Sequence, residues 1–210
     1  MKLYSEKKIN PSDDIMSAWI EAESEGLKDG SDFGLDQIIS DCLLLLDGGA
    51  ETTRTVIARS MLHLANSPTQ WELLKKGSDL EIAVEEFIRY VTPIHNMCRV
   101  ATEDYFIHGK TIRKGDQVVL MYSSANRDSE KFNNPELLDV TRDPNHHIAF
   151  GFGTHFCLGA SLARLEIKLF YEQLINRVKS FALAGDPVEM PNAFVYGLAS
   201  CPMDLTPETS

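Results

Sequence analysis

The chain has 210 residues, of which 43% are apolar, and it carries a formal net charge of −11. This length and apolar content are sufficient for one well-buried domain or for part of a larger one. The acidic balance argues against nucleic acid as a partner, because a nucleic-acid-binding surface needs an excess of lysine and arginine.

The cysteines are scattered without a regular spacing, which argues against a disulfide framework and favours a reducing compartment. They are Cys42, Cys98, Cys157 and Cys201. No run approaches the roughly twenty apolar residues of a membrane-spanning helix, and the first eight residues lack the apolar core of a signal peptide. We therefore expect a cytoplasmic protein with neither a membrane nor a nucleic-acid partner.

The first predicted element is a capped helix. Ser12, Asp13 and Asp14 are helix-capping residues in front of an apolar run, which predicts a helix that ends near Gly26. A polar, glycine-containing link is expected over 27–31.

The longest helical pattern covers 33–67. Gly48 and Gly49 interrupt it at a cost of about 1 kcal/mol each relative to alanine. They either end the helix as a C-cap or lie in a locally distorted helix that continues. The second alternative is favoured because apolar residues resume at helical spacing beyond the glycines. Backbone bared by the glycines, beside the hydroxyl of Thr52, would then form a polar notch in an apolar face.

Two shorter helices are predicted over 68–76 and 80–90. Within the second, Glu86 and Arg89 lie three positions apart and therefore on one side of the helix. An exposed pair of this kind would contribute only a few tenths of a kcal/mol.

The chain then turns towards β-structure. Short runs rich in β-branched and aromatic residues predict a small sheet over 98–121. A polar, turn-rich segment follows over 125–148. Short β-like pieces return over 181–205, and we expect the residues from Asp204 onward to be frayed.

The most informative stretch is 150–166, FGFGTHFCLGASLARLE. A glycine-rich loop over 149–159 leads into a helix predicted over 158–177. Cys157 would lie at the start of that helix, where unpaired N–H groups and the helix dipole favour an anion. Thiolate is the form of cysteine that binds metal. The alternative is a small buried apolar residue, as most free cysteines are.

The spacing F-x-x-G-x-x-x-C-x-G is met by Phe150, Gly153, Cys157 and Gly159. It resembles the haem-thiolate signature of the cytochrome P450 family, bacterial soluble type. The resemblance spans nearly the whole chain, but it covers only the C-terminal half of the family fold. It implies a mainly α protein with small β-sheets (α+β), the haem-binding half of that fold.

The resemblance also implies site residues. Cys157 would be the axial ligand of haem b, iron protoporphyrin IX. Arg99 and His155 would pair with the propionates, although a surface arginine and a helix-capping histidine are the alternatives. The residues implied to contact the cofactor are Arg99, Phe150, Gly151, His155, Cys157 and Gly159.

Two further sets follow from the same resemblance. The stretch 48–53, GGAETT, matches a signature of the central helix, and it implies that Glu51 and Thr52 are catalytic residues that relay protons. The alternative for Glu51 is an ordinary solvated carboxylate. Glu86, Arg89 and Arg142 would form a buried network that holds the cysteine loop.

The implied activity is that of a haem-thiolate monooxygenase, an oxidoreductase that inserts one atom of O2 into an apolar organic substrate. Its electrons would come from a ferredoxin and a ferredoxin reductase. The alternatives are a catalytically silent fragment and a haem-thiolate protein that binds or senses a small gas without oxygenating a substrate. Candidate substrate-facing residues are Ala50, Ile94, Met97, Val195 and Tyr196.

Overall fold

The structure, a computed structural model, describes residues 2–25 and 33–208. The polar link predicted over 27–31 lies outside the described residues. Among the helices that are described, none combines the length and the apolar content needed to cross a bilayer.

The chain divides into two compact units, 1–49 and 50–210, and helix α3 (Leu35–Ala65) runs across the division. The helix is continuous through Gly48 and Gly49. The prediction of a continuous helix is therefore confirmed, and the alternative that these glycines form a C-cap is wrong.

The first unit contains α1 (Lys2–Ile9), α2 (Ile15–Glu25) and the start of α3. Asp14 caps α2, because its Oδ1 accepts a backbone N–H of the first turn at 2.8 Å. The Tyr4 hydroxyl donates to Glu23 across the two short helices at 2.5 Å. The sequence pattern does not predict α1, because its few apolar residues follow no helical period.

The second unit contains the remaining elements. The helices are α4 (Pro68–Lys75), α5 (Leu80–Val91), α6 (Tyr122–Ala125) and α7 (Ala160–Arg177). The strands are β1 (Asn96–Val100), β2 (Tyr105–Ile107), β3 (Lys110–Ile112), β4 (Gln117–Met121), β5 (Val178–Leu183), β6 (Val188–Glu189), β7 (Leu198–Ser200) and β8 (Met203–Pro207). In the described part of the chain these strands form antiparallel pairs, β1 with β4, β2 with β3, β5 with β8 and β6 with β7. The expected class, mainly α with small sheets, is confirmed.

Three boundaries differ from the sequence predictions. The region predicted as one sheet holds two separate pairs, because His108 and Gly109 both have positive φ and turn β2 tightly back onto β3. Helix α7 begins at Ala160 rather than at residue 158, after a turn in which Ala160 N–H donates to the Cys157 carbonyl at 3.3 Å. The frayed end expected from Asp204 is wrong up to Pro207, because these residues pair with β5.

Helix α5 is fixed at both ends by its own sequence. Asp79 accepts the N–H of Glu81 at 2.8 Å as the N-cap. Thr92 ends the helix in the left-handed conformation, with φ of 44°, and its N–H donates to the Ile88 carbonyl at 2.9 Å. Both ends of α5 are therefore set by bonds within the helix and its caps.

The core of the second unit lies where α3, α5 and α7 approach one another. The Phe87 ring stacks on the Tyr171 ring with centroids 4.5 Å apart, and the Tyr171 hydroxyl lies 2.6 Å from Ser60 Oγ. The apolar cluster around them comprises Val56, Met61, Leu64, Trp71, Leu74, Ala83, Val84, Ile88, Val91, Leu138, Val140, Ala149 and Ile167. This cluster anchors α5 and α7, the two helices that carry the site.

We expect Phe87→Ala to lower the free energy of unfolding by about 3–5 kcal/mol, because it removes a fully buried ring and leaves a cavity. Phe152→Ala is the matched control, since the Phe152 side chain is 87% exposed and its removal should change stability by less than about 0.5 kcal/mol. Urea denaturation of the two variants measures the difference. Equal losses would contradict the assignment of the core.

Candidate functional site

The cysteine loop is closed by hydrogen bonds along its own backbone. Cys157 N–H donates to the Phe150 carbonyl at 2.9 Å, and Phe156 N–H donates to the Gly153 carbonyl at 3.0 Å around a short 3-10 turn, Gly153–His155. The Cys157 side chain is exposed. The alternative that Cys157 is a small buried apolar residue is therefore wrong.

The glycines of the loop serve two different purposes. Gly151 and Gly153 have φ of 74° and 70°, a region that residues with a side chain rarely adopt. Gly159 has an ordinary φ of −85°, so its backbone conformation does not require glycine. A Cβ built on Gly159 or on Gly153 meets no atom within 4 Å, so both positions leave open space near the sulfur.

The surroundings of Cys157 fit a flat apolar cofactor. Phe152 and Leu158 are 87% and 91% exposed, so bare apolar side chains stand before and after Cys157 in the loop. Within the described residues, no group of three or more His, Cys, Asp or Glu side chains is positioned to hold a metal ion. A haem iron does not need such a group, because the porphyrin supplies its other ligands and one thiolate is sufficient from the protein. The residues present therefore fit a haem.

Glu86 and Arg89 form a fully buried ion pair, with both side chains 0% exposed. Arg89 donates Nε to Glu86 Oε2 at 2.7 Å and Nη2 to Oε1 at 2.8 Å. Arg142 Nε donates to the same Oε2 at 3.0 Å. The structure thus brings these three predicted residues into one network.

The network holds the segment that leads to the cysteine loop. Arg89 Nη1 donates to the carbonyls of Asn126 and Pro135 at 2.8 and 3.0 Å. Glu86 also accepts the backbone N–H of Asp139 at 2.9 Å. Asn126 Oδ1, fully buried, accepts the N–H of Ile148 at 2.8 Å, immediately before the cysteine loop.

The neighbouring residue, Glu85, belongs to a second network. It accepts Nε and Nη2 of Arg164 at 2.5 and 3.0 Å and lies 3.1 Å from Nε2 of His147. Burial alone would raise the pKa of Glu85, but hydrogen bonds from His147 and Arg164 outweigh it and lower this pKa from 4.5 to about 2. The Glu85 carboxylate thus joins α5, α7 and the segment just before the cysteine loop.

Glu51 and Thr52 lie on α3 and are both half-buried. Glu51 forms an ion pair with Arg54, three positions along the same helix. Arg54 Nη1 also donates to the carbonyl of Leu198 in β7 at 3.3 Å. The carboxylate is therefore tied to a defined partner rather than surrounded only by water.

The residues expected at the propionates lie on two different elements of the second unit. Arg99 is half-buried on β1 and donates Nη1 to the carbonyl of its neighbour Cys98 at 2.8 Å. His155 is exposed at the end of the 3-10 turn, two residues before Cys157.

Two of the predicted substrate-facing residues meet directly, because Ile94 and Val195 form an isolated antiparallel β-bridge. Met97 is half-buried on β1, and Ala50 is exposed on α3. The Tyr196 ring packs against a guanidinium, with Arg59 Cζ 3.1 Å from the ring centroid. Tyr196 therefore has a packing partner on α3 in addition to any role towards a substrate.

The sequence profile of the family described as Cytochrome P450 matches residues 69–202. The chain belongs to the cytochrome P450 family. A steroid C26-monooxygenase of Mycolicibacterium smegmatis is 40% identical over 208 residues, which cover 98% of this chain and 51% of that protein. A linalool 8-monooxygenase of Pseudomonas putida is 36% identical and is covered to 50% of its length.

The solved structures agree with this assignment. A cytochrome P450 of Mycobacterium marinum in complex with pseudoionone superimposes with a TM-score of 0.88 at 36% identity, over 96% of this chain and 48% of that one. The chain thus spans about half the length of the curated relatives it matches.

Several residues that organise this cytochrome P450 site carry no local signal in the sequence. Glu85 and Arg164 are 79 positions apart, and each alone reads as a charged residue on a helix surface. Arg54 reads as the partner of Glu51, but its bond to Leu198 spans 144 positions. The spacing of three residues from Glu51 could have indicated the pairing of Arg54 with the acid, but not its bond to Leu198.

We expect Glu86→Gln in this cytochrome P450 chain to lower the free energy of unfolding by about 3–5 kcal/mol, because it leaves two arginines without their buried counter-charge. Glu81→Gln on the same helix is the control, since Glu81 pairs with Lys168 in an exposed position and should contribute less than about 1 kcal/mol. Chemical denaturation compares the two. A loss for Glu86→Gln no larger than for Glu81→Gln would contradict the prediction.

The depressed pKa of Glu85 predicts a pH dependence. Its stabilisation is present above the unfolded-state pKa of 4.5 and is lost as the pH falls from 4.5 towards about 2, since protonated Glu85 no longer pairs with Arg164. Glu85→Gln should cost about 1–2 kcal/mol at pH 7, after allowance for solvent screening, and progressively less at pH 4 and 3. Urea unfolding of both proteins at each pH measures the difference between their free energies of unfolding. A difference that stays constant from pH 7 to pH 3 would argue against the prediction.

Proposed function

We propose that this chain is the haem-binding C-terminal part of a cytochrome P450 monooxygenase that acts on an apolar substrate. The observation that carries the proposal is the exposed Cys157 thiol, in a loop closed by the bond from its N–H to the Phe150 carbonyl. Bare apolar side chains stand before and after it in the loop, and the loop is attached to a buried charge network. A free thiol so held suits the ligation of a cofactor better than packing.

Cys157 would hold the iron of haem b through its thiolate, and Gly153 and Gly159 would leave room for the porphyrin close to the backbone. Phe150 would keep water from the sulfur, and Gly151 would give the loop its turn. Bound haem would supply the redox-active iron at which dioxygen is activated. Arg99 and His155 would pair with the propionates, with the guanidinium of Arg99 suited to a carboxylate.

Glu51 and Thr52 would move protons towards the reacting oxygen. The Glu51 carboxylate is held by Arg54 and remains partly exposed, so it can exchange protons with solvent. Thr52 is the next residue on α3, and a hydroxyl can both accept and donate a proton. The pair would act as a short relay along one helix, with Arg54 fixing the orientation of the acid.

An apolar substrate fits the residues that would face it. Ile94 and Val195 are apolar residues that a backbone β-bridge brings side by side, and Met97, Ala50 and Tyr196 are the further candidates. The relatives named above act on or bind a steroid, linalool and pseudoionone, which are all largely apolar. These names support the substrate class.

Electrons would come from a ferredoxin and its reductase, and the protein would work in the cytoplasm. Turnover of a candidate apolar substrate with such a pair distinguishes a monooxygenase from a haem-thiolate gas sensor, which would consume no substrate. A hydroxylated product that appears only with the redox pair supports the monooxygenase.

We expect Cys157→Ser to abolish the thiolate-type Soret band of the reduced carbon monoxide complex, because an alcohol does not replace the thiolate ligand. Cys98→Ser is the matched control, an exposed cysteine on β1 that should leave the spectrum unchanged. Haemin is added to the chain alone in one arm of the assay. In the other arm the mixture also contains a second polypeptide, the half of a relative that this chain does not match. A thiolate-type band that survives in Cys157→Ser would refute the proposed ligand.

A further inference from the structure

Arg164, on the first turns of α7, lies directly behind the cysteine loop. Its Cζ is 4.5 Å from the centroid of the Phe150 ring, within the range of a cation–π contact. Phe150 is also the residue whose carbonyl accepts the N–H of Cys157 at 2.9 Å. The guanidinium therefore packs on the residue that holds the backbone of Cys157.

Glu85 fixes the orientation of this guanidinium. The two bonds of 2.5 and 3.0 Å form a bidentate fork, which restrains a planar guanidinium more than a single bond would. His147 binds the same carboxylate through Nε2, and its Nδ1 accepts the N–H of Ala149 at 3.2 Å. The hydrogen bonds therefore assign the proton of His147 to Nε2, and both ends of the arrangement are attached to the loop.

The charge of Arg164 and the charge of Cys157 influence each other. The pKa of Arg164 is raised chiefly by its hydrogen bond to Glu85, and the negative charge of Cys157 adds to the rise. The guanidinium packs on the residue that binds the backbone of Cys157, so its charge is near enough to attract an anionic sulfur.

We infer that Arg164 is a positioning residue for Cys157, which Glu85 holds against the Phe150 ring so that a fixed positive charge lies beside the sulfur. The inference rests on the proposed function only in taking Cys157 as the haem ligand. At a bound haem, such a charge would offset part of the negative charge of the thiolate and so reduce its donation to the iron.

The simpler interpretation is an ordinary ion pair between two helices. The structure provides the comparison, because Lys168 and Glu81 form such a pair between the same helices, one turn along each, at 2.7 Å. Lys168 and Arg164 are about equally exposed, at 34% and 37%, but Glu81 is far more exposed than Glu85, at 76% against 28%. Lys168 has no ring contact among those described, and it offers a matched control.

The test measures the electrostatic potential at Cys157 in the haem-free protein. Iodoacetate and iodoacetamide alkylate the same thiolate, but only iodoacetate carries a negative charge. Both rate constants depend equally on the fraction of Cys157 that is thiolate and on its accessibility, so these factors cancel in their ratio. The ratio therefore reports the electrostatic potential at the sulfur. The rates are followed by mass spectrometry of the peptide that contains Cys157, which is exposed and so open to both reagents.

Arg164→Gln should lower the iodoacetate-to-iodoacetamide ratio at Cys157 by about two- to five-fold at low salt, the size expected for one unit charge at short range in a water-like medium. Arg164→Lys should retain most of the ratio, since it keeps the charge and loses only the fork. Lys168→Gln should leave the ratio unchanged. A role of Arg164 that was only structural would not alter this ratio.

An unchanged ratio in Arg164→Gln would overturn the inference, and so would an equal fall in Lys168→Gln, which would indicate a general surface field. A fall in Arg164→Lys as large as in Arg164→Gln would also overturn it, because the retained charge would then have no effect. The assay contains no haem, so its outcome is independent of the spectroscopic test of Cys157→Ser. Either proposal can therefore fail without the other.

Discussion

The buried pair of Glu86 and Arg89 is the constraint on which the site depends. Two charges with no exposure to water carry a large desolvation cost, and that cost is offset only where further hydrogen bonds satisfy the remaining atoms. Here those bonds come from Arg142 and from backbone groups of the segment that leads to the cysteine loop. The pair therefore forms only when that irregular segment is in place, so local loop structure and helix packing stabilise each other.

A site made of loops gains precision from the helices behind it. The cysteine loop has little regular structure, but it lies between α5 and α7, which share the apolar core around Phe87 and Tyr171. Glu85 and Arg164 extend this support from the core to the loop. The sulfur is exposed, yet the residues that hold its backbone are attached to the most buried part of the unit.

Much of this arrangement could be predicted from the sequence, because the relevant signals are local. The period of α3, the cap of α2 at Asp14 and the spacing from Phe150 to Cys157 each lie within one segment. The bond from Arg164 to Glu85 spans 79 positions, and no local pattern distinguishes it from an ordinary surface charge. The division of the predicted sheet depends on His108 with positive φ, which a non-glycine residue rarely adopts.

Glu85 and Glu86 are adjacent in sequence yet bind different arginines, Arg164 for Glu85, and Arg89 and Arg142 for Glu86. Consecutive residues of an α-helix point about 100° apart, so one helix reaches both the segment before the cysteine loop and the helix after it. Inserting or deleting a single residue between Asp79 and Glu85 would rotate both carboxylates away from their arginines at once. The length of α5 is therefore as strictly constrained as the chemistry of its side chains, and the helix sets the register of both charge networks.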